Sequence, residues 1–296
     1  MLITKDTQVL VQGITGKEGQ RAARAMLDYG TRVVAGVRPG KAGEIVEGIP
    51  VYDSVADALQ THPKITDSAV YVPPSAAKAA ILEAVHAGIK RISVIVERMP
   101  IRDTAECLAE AKEHGATIIG PSSLGYIRPG VGRVGVVGGP KKLVHEVYTS
   151  GSIGIISRSG GMTNELSWLI RQAGLGQSMA VHVGGDLLLG TTYTEVLKMF
   201  QDDAQTKAVV VFGEHGGGYE FEIADMLKTG VFSKPLAIYI GGAFAESFPE
   251  GMCIGHAGAI VERGRGAHEK RMALKQAGAM IADSYEELVS LIRETV

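Results

Sequence analysis

Short apolar runs alternate with helical segments along the whole chain, and glycine-rich turns fall where a run gives way to a helix. Strands are expected at 8–12, 32–36, 67–71, 91–96 and 117–119, with helices from about 19 to 29 and over 55–60, 75–87 and 104–114. Units this short leave room for a parallel sheet with helices on both faces and little else. A glycine- and proline-rich stretch, 120–140, interrupts the pattern. It then restarts with strands at 152–156, 179–183, 208–212, 236–240 and 279–281, separated by helices and followed by a last one over 285–294. The expectation is an α/β chain of two doubly wound domains, 1–122 and 151–296, joined by a connection over 123–150. Ligands of such sheets sit at the carboxyl ends of strands, where the glycine turns fall.

Composition narrows the function classes. A length of 296 residues suffices for two cores. A net charge of −2 gives no basic field for nucleic acid, and no apolar run is long enough to span a bilayer. Cys107 and Cys253 stand at no metal-ligand spacing, so no protein-bound metal is expected and a reducing compartment is. The first residues, Met1-Leu2-Ile3-Thr4-Lys5-Asp6, carry neither a signal-peptide core nor a transit pattern, which points to the cytoplasm.

The first glycine loop, Gly13-Ile14-Thr15-Gly16-Lys17-Glu18-Gly19, follows a strand and opens a helix. Free N–H groups and the helix dipole favour a phosphate there. Thr15 stands where the dinucleotide fingerprint has its second glycine, and the second strand ends in the basic Arg38-Pro39-Gly40-Lys41 rather than an acidic residue. Those residues suit a ribose phosphate, in NADP or in coenzyme A alike.

A second phosphate cradle, Ser157-Arg158-Ser159-Gly160-Gly161, opens a helix in the second half, although Ser159 could equally be a simple helix cap. Gly184-Gly185-Asp186 and Gly213-Glu214 end the next strands on the same rim. His256, in Gly255-His256-Ala257-Gly258-Ala259-Ile260, is bracketed by small residues that let a bulky group approach. Glu214 could accept an N–H from His256 and fix its tautomer, leaving the other nitrogen as a nucleophile for phosphorus. No P-loop is present, since Gly36–Lys41 lacks the spacing and the following Ser or Thr. A phosphate on His256 would therefore come from another subunit.

Taken together, Gly13-Ile14-Thr15-Gly16, Pro39-Gly40-Lys41, Tyr71-Val72-Pro73, Gly120-Pro121, Gly154-Ile155-Ile156-Ser157-Arg158-Ser159-Gly160, Gly184-Gly185-Asp186, Gly213-Glu214 and Gly255-His256-Ala257-Gly258-Ala259-Ile260 resemble the α subunit of succinyl-CoA synthetase, in the NDP-forming acyl-CoA synthetase superfamily. The resemblance implies a Rossmann-like CoA-binding domain followed by a flavodoxin-like ligase domain. It implies CoA contacts from Thr15, Gly16, Lys17 and Glu18, with Lys41, Val96 and Glu97 nearby. His256 would be the phosphohistidine, Glu214 its partner, and Ser157, Ser159, Gly160 and Gly161 the phosphate cradle. ATP or GTP with Mg²⁺ would sit on an ATP-grasp β subunit, in a heterodimer or an α2β2 heterotetramer.

Departures bear on the acid substrate. Gly120-Pro121-Ser122-Ser123 has no thiol where the family usually has Gly-Pro-Asn-Cys. Gly161-Met162-Thr163-Asn164-Glu165 is closer to ATP-citrate lyase and citryl-CoA synthetase than to succinate enzymes. The substrate class is a di- or tricarboxylic acid. One expectation is that Asn164, His182 and His215 enlarge and polarise the carboxylate pocket for a hydroxylated or tricarboxylic acid, the other that both histidines are simply packed. The alternatives are a citryl-CoA or malyl-CoA synthetase small subunit, a CoA-binding regulator without catalysis, and an NADP-dependent reductase.

Overall fold

The computed structural model describes residues 2–296, which divide into two compact units, Leu2–Val144 with Leu188–Gly190, and His145–Leu187 with Thr191–Val296. In the first, β1 (Gln8–Gln12), α1 (Lys17–Asp28), β2 (Arg32–Val37), β3 (Ile45–Val46), β4 (Ile49–Tyr52), α2 (Val55–Thr61), β5 (Ile65–Val70), α3 (Pro74–His86), β6 (Arg91–Val94), α4 (Ile101–Glu113) and β7 (Thr117–Ile119) follow in turn. The sheet order is β3-β4-β2-β1-β5-β6-β7, and every pairing from β4 to β7 is parallel. Leaving aside the tiny antiparallel β3, that is the 3-2-1-4-5-6 order of a dinucleotide-type sheet. Its central strand β1 is buried at all five residues, because helices cover both faces.

The stretch expected to be a plain connection, 123–150, is structured. It forms an antiparallel hairpin, β8 (Gly125–Arg128) and β9 (Gly132–Gly135), and then α5 (Lys141–Val147). Gly125 and Gly135 (φ +95° and +94°) lie backbone to backbone across the hairpin, where a Cβ would collide with the opposite carbonyl. Arg133, wholly buried, donates to the carbonyls of Ala25, Val137 and Gly139. The hairpin therefore belongs to the first unit, and the boundary falls near residue 144 rather than 122.

The second unit runs β10 (Ser150–Ser157), α6 (Gly160–Gln172), β11 (Gln177–His182), α7 (Tyr193–Asp202), β12 (Ala208–Glu214), α8 (Tyr219–Lys228), β13 (Leu236–Gly241), a 3₁₀ turn (Ala243–Ser247), α9 (Ala267–Gln276), β14 (Met280–Ile281) and α10 (Glu287–Arg293). These strands are parallel in the order β14-β13-β12-β10-β11, the 2-1-3-4-5 order of flavodoxin-like sheets. Registers align Ser157 with His182 and Phe212, so the ends of β10, β11 and β12 share one edge. Among the described residues, no helix is long and apolar enough to cross a membrane.

Candidate active site

In the first unit, β1 runs into Gly13, which has φ +80° and lies so close to the Tyr71 carbonyl that only glycine fits. Gly16 caps α1 with no side-chain hydrogen bond, and its N–H reaches back to Gly13 at 3.0 Å. Gly19 packs onto the Gly13 carbonyl with no space for a Cβ. The loop is tight, and the mouth of α1 stays open: Gly16, Lys17 and Glu18 are exposed and Thr15 is half-buried. First-turn N–H groups without an intrahelical acceptor suit a phosphate.

The other expected contacts are distributed unevenly. Lys41 is exposed and paired with Glu44 at 2.7 Å. Asp53 orders its loop by accepting the N–H groups of Lys41 and Ala42 at 3.0 and 3.1 Å, a role sequence reasoning missed. Glu97 is exposed, whereas the Val96 side chain is buried and its carbonyl accepts the Ser122 N–H at 2.9 Å. Val96 can meet a ligand only through its backbone turn.

In the second unit, His256 follows Gly255, which holds φ +88°. Its Nδ1 lies 2.7 Å from Glu214 Oε1 at the end of β12. A carboxylate only accepts, so Nδ1 carries the proton in this contact. The other oxygen, Oε2, is buried with no hydrogen-bond partner among the described residues. The imidazole lies so close to Gly185 that a Cβ there would come within 2.7 Å of its Cδ2. Gly258 donates to the Gly185 carbonyl at 3.0 Å and presses against Arg158. Both glycines are there for close approach.

Arg158 is buried and donates to the carbonyl of Asp186 at 2.8 Å, with its guanidinium 5.6 Å from the centre of the Tyr219 ring. Burial alone would push the Glu214 pKa up. The His256 hydrogen bond and charge, helped by Arg158 and His215, outweigh it and hold the carboxyl below its usual range. Beneath, Lys270 and Glu220 form a fully buried ion pair. Lys270 Nζ also donates to the carbonyls of Glu214 and Gly216, and Glu220 Oε1 accepts the Glu214 N–H at 3.1 Å. This clamp fixes the backbone that carries the carboxylate. Sequence reasoning missed it, because a lysine in a helix ordinarily reads as a solvated residue.

At the start of α6, Ser157 Oγ bridges the N–H and carbonyl of Ser159, both at 2.9 Å. Ser159 Oγ accepts the Met162 N–H at 3.3 Å and so acts as the helix cap. Gly160 is buried and Gly161 exposed, and their two first-turn N–H groups, unlike that of Met162, remain available to an anion. Asn164, His182 and His215, expected around the acid, each hold a hydrogen bond within the protein. Asn164 is half-buried and its Oδ1 accepts the Tyr148 hydroxyl at 2.8 Å. His182 and His215 are buried, bonded to the carbonyls of Arg158 at 2.8 Å and Ala259 at 3.1 Å. Burial lowers the pKa of both, that of His182 to about 4. They hold loops in place.

The chain matches the CoA-binding-domain family over residues 4–98 and the CoA-ligase family over residues 156–289. It is 42% identical over 295 residues to an ADP-forming sulfoacetate–CoA ligase subunit of Acholeplasma sp, covering 99% of this chain and 97% of that one. It is 41% identical to an ADP-forming succinate–CoA ligase α subunit of Archaeoglobus fulgidus, covering 99% of each. The fold superposes on ATP citrate lyase of Methanosaeta concilii, solved with (3S)-citryl-CoA, at a TM-score of 0.93 and 26% identity. This chain is covered in full there and spans 50% of the lyase chain. Several of these relatives are named as α subunits, a name that implies a partner subunit for those proteins. The chain belongs to the succinate–CoA ligase α-subunit family of NDP-forming acyl-CoA synthetases, whose activity is that of an acid–thiol ligase.

Proposed function

We propose that His256 carries a phosphoryl group between a nucleotide on a partner subunit and an acid that this complex joins to CoA. The observation that carries the reading is the 2.7 Å contact between His256 Nδ1 and Glu214 Oε1. With Nδ1 engaged, Nε2 is the nitrogen that attacks phosphorus, and Glu214 stabilises the positive charge that develops on the ring. ATP or GTP, bound on an ATP-grasp β subunit, transfers its terminal phosphoryl group to Nε2 and leaves as the diphosphate. Mg²⁺ held there with the nucleotide would screen phosphate charge.

A carboxylate oxygen of the acid then attacks the phosphorus, the P–N bond breaks, and an acyl phosphate forms. The first-turn N–H groups of Gly160 and Gly161 would take up charge on the moving phosphoryl group, with Ser157 and Ser159 shaping that turn. CoA, its phosphates on the open turn Thr15-Gly16-Lys17-Glu18 with Lys41 and Glu97 alongside, delivers its thiolate. Attack on the acyl carbon expels inorganic phosphate. The exposed glycine-capped mouth of α1 fits that role, as its free N–H groups have no competing side-chain cap.

The acid is a small one with a second anionic group, carboxylate or sulfonate, and the reaction is cytoplasmic. The succinate and sulfoacetate relatives support this choice. The citryl-CoA alternative draws on the lyase likeness and the Asn164 stretch, though Asn164 already serves Tyr148.

The test is phosphorylation of the reconstituted complex with γ-labelled ATP. Label on this chain should be acid-labile and base-stable. It should be absent in His256→Ala and form roughly 100-fold more slowly in Glu214→Gln, since the neutral amide cannot stabilise the cationic ring. Base-labile label, or label surviving in His256→Ala, sinks the relay. A panel of succinate, sulfoacetate, malate and citrate then ranks the acids by kcat/KM, and a preference for citrate would overturn the two-anion choice.

A further inference from the structure

The ends of α3 and α4 bring two imidazoles and a carboxylate together on the surface of the first unit. His86 is the last residue of α3, Glu110 lies in the last turn of α4, and His114 caps that helix. Glu110 Oε2 is 3.0 Å from His86 Nε2 and 3.8 Å from His114 Nδ1. The two rings meet at 5.1 Å between centroids, and one donor atom from each of the three residues lies within 4.8 Å of the others. The side chains are 53%, 39% and 43% exposed, so solvent reaches all three.

Two features point to a cation. The C-terminal ends of both helices meet there, and their macrodipoles add negative potential where the ligands converge. The donor set is two imidazoles and one carboxylate, which suits Zn²⁺ and ions like it, while Mg²⁺ and Ca²⁺ favour all-oxygen sites. Metal–ligand bonds near 2.0–2.2 Å place tetrahedral donors about 3.4 Å apart. The separations of 3.0 and 3.8 Å stand on either side of that value, so small rotations of exposed side chains complete the site.

We propose that His86, Glu110 and His114 bind a divalent transition cation of the Zn²⁺ type, with water filling the remaining position. His114 Nδ1 donates to the Glu110 carbonyl at 2.9 Å, so the ion would replace that hydrogen bond, the ring proton passing to Nε2. With His86 bound through Nε2, the ion clips α3 to α4. Helices that follow parallel strands end at the amino edge of the sheet, whereas the Gly13–Gly19 loop lies at the carboxyl edge. The inference is independent of the acid–CoA ligase reading.

Titration calorimetry of the full-length, chelator-stripped chain with ZnCl₂ tests it. Wild type and His256→Ala should each take up one Zn²⁺ here, with a rise in Tm. The double variant His86→Ala/His114→Ala should lose both effects, and Glu110→Gln should weaken binding about tenfold or more. Circular dichroism without metal checks that the variants fold. If the double variant does not, the single Glu110→Gln substitution decides. Zn²⁺ uptake unchanged by these substitutions, or abolished by His256→Ala, overturns the proposal.

Discussion

The His182 imidazole titrates far from its ordinary range because burial penalises its charged form. The Arg158 carbonyl partly offsets this, while the nearby His256 adds to it. In the unfolded chain the ring takes its proton near pH 6.5, and in the folded one not until about pH 4. Between those values the unfolded state binds more protons, so stability falls as pH falls, by about 3 kcal/mol across the window. Above pH 6.5 the residue contributes no slope. His182→Gln keeps an N–H for the Arg158 carbonyl and removes the titration. Urea midpoints at pH 7, 5.5 and 4.5 should fall less steeply in the variant; equal slopes would show that His182 is not the acid-sensitive group. At this scale the sequence was legible only in part. The position of Glu214 at a strand end and the small neighbours of His256 can be read from the chain. Whether Asn164, His182 and His215 face a pocket depends on Tyr148, Arg158 and Ala259, which other elements bring to them.

Elements were the most legible level, because a parallel strand buried on both faces must be a short apolar run and its crossover must be a helix. The hairpin β8–β9 escaped notice because its glycines, placed for backbone contact, look like breakers. The clamp under Glu214 escaped for a different reason: α8 and α9 supply Glu220 and Lys270 from 50 residues apart. Removing one member of this pair leaves a buried charge unpaired. Lys270→Met should therefore cost roughly 3–5 kcal/mol, whereas Lys270→Met/Glu220→Gln should recover much of that. The double variant still lacks the ammonium that held the Glu214 and Gly216 carbonyls, so phosphoenzyme formation should remain impaired after stability returns. Denaturant unfolding beside labelling rates separates the two effects. Recovery of both together would reduce the clamp to a stability device.

At the scale of the whole molecule, two sheets of different strand order each present a helix mouth at a carboxyl edge, one in each unit. The chemistry of the loop residues left NADP and coenzyme A open at the first mouth, and only the family resemblance pointed to CoA, because a free helix N-terminus recognises phosphate and not the molecule that bears it. If the first mouth holds CoA and the second serves the phosphohistidine, their losses should separate in the intact chain. His256→Ala should bind CoA as wild type does by calorimetry and yet form no phosphoenzyme with the partner and ATP. Lys17→Glu, an exposed substitution beside the α1 mouth, should weaken CoA about tenfold by reversing charge next to its phosphates. Its phosphohistidine should form at the wild-type rate, since that step precedes any use of the thiol. A His256→Ala chain that lost CoA affinity, or a Lys17→Glu chain slow to phosphorylate, would mean that the two mouths do not divide the chemistry in this way.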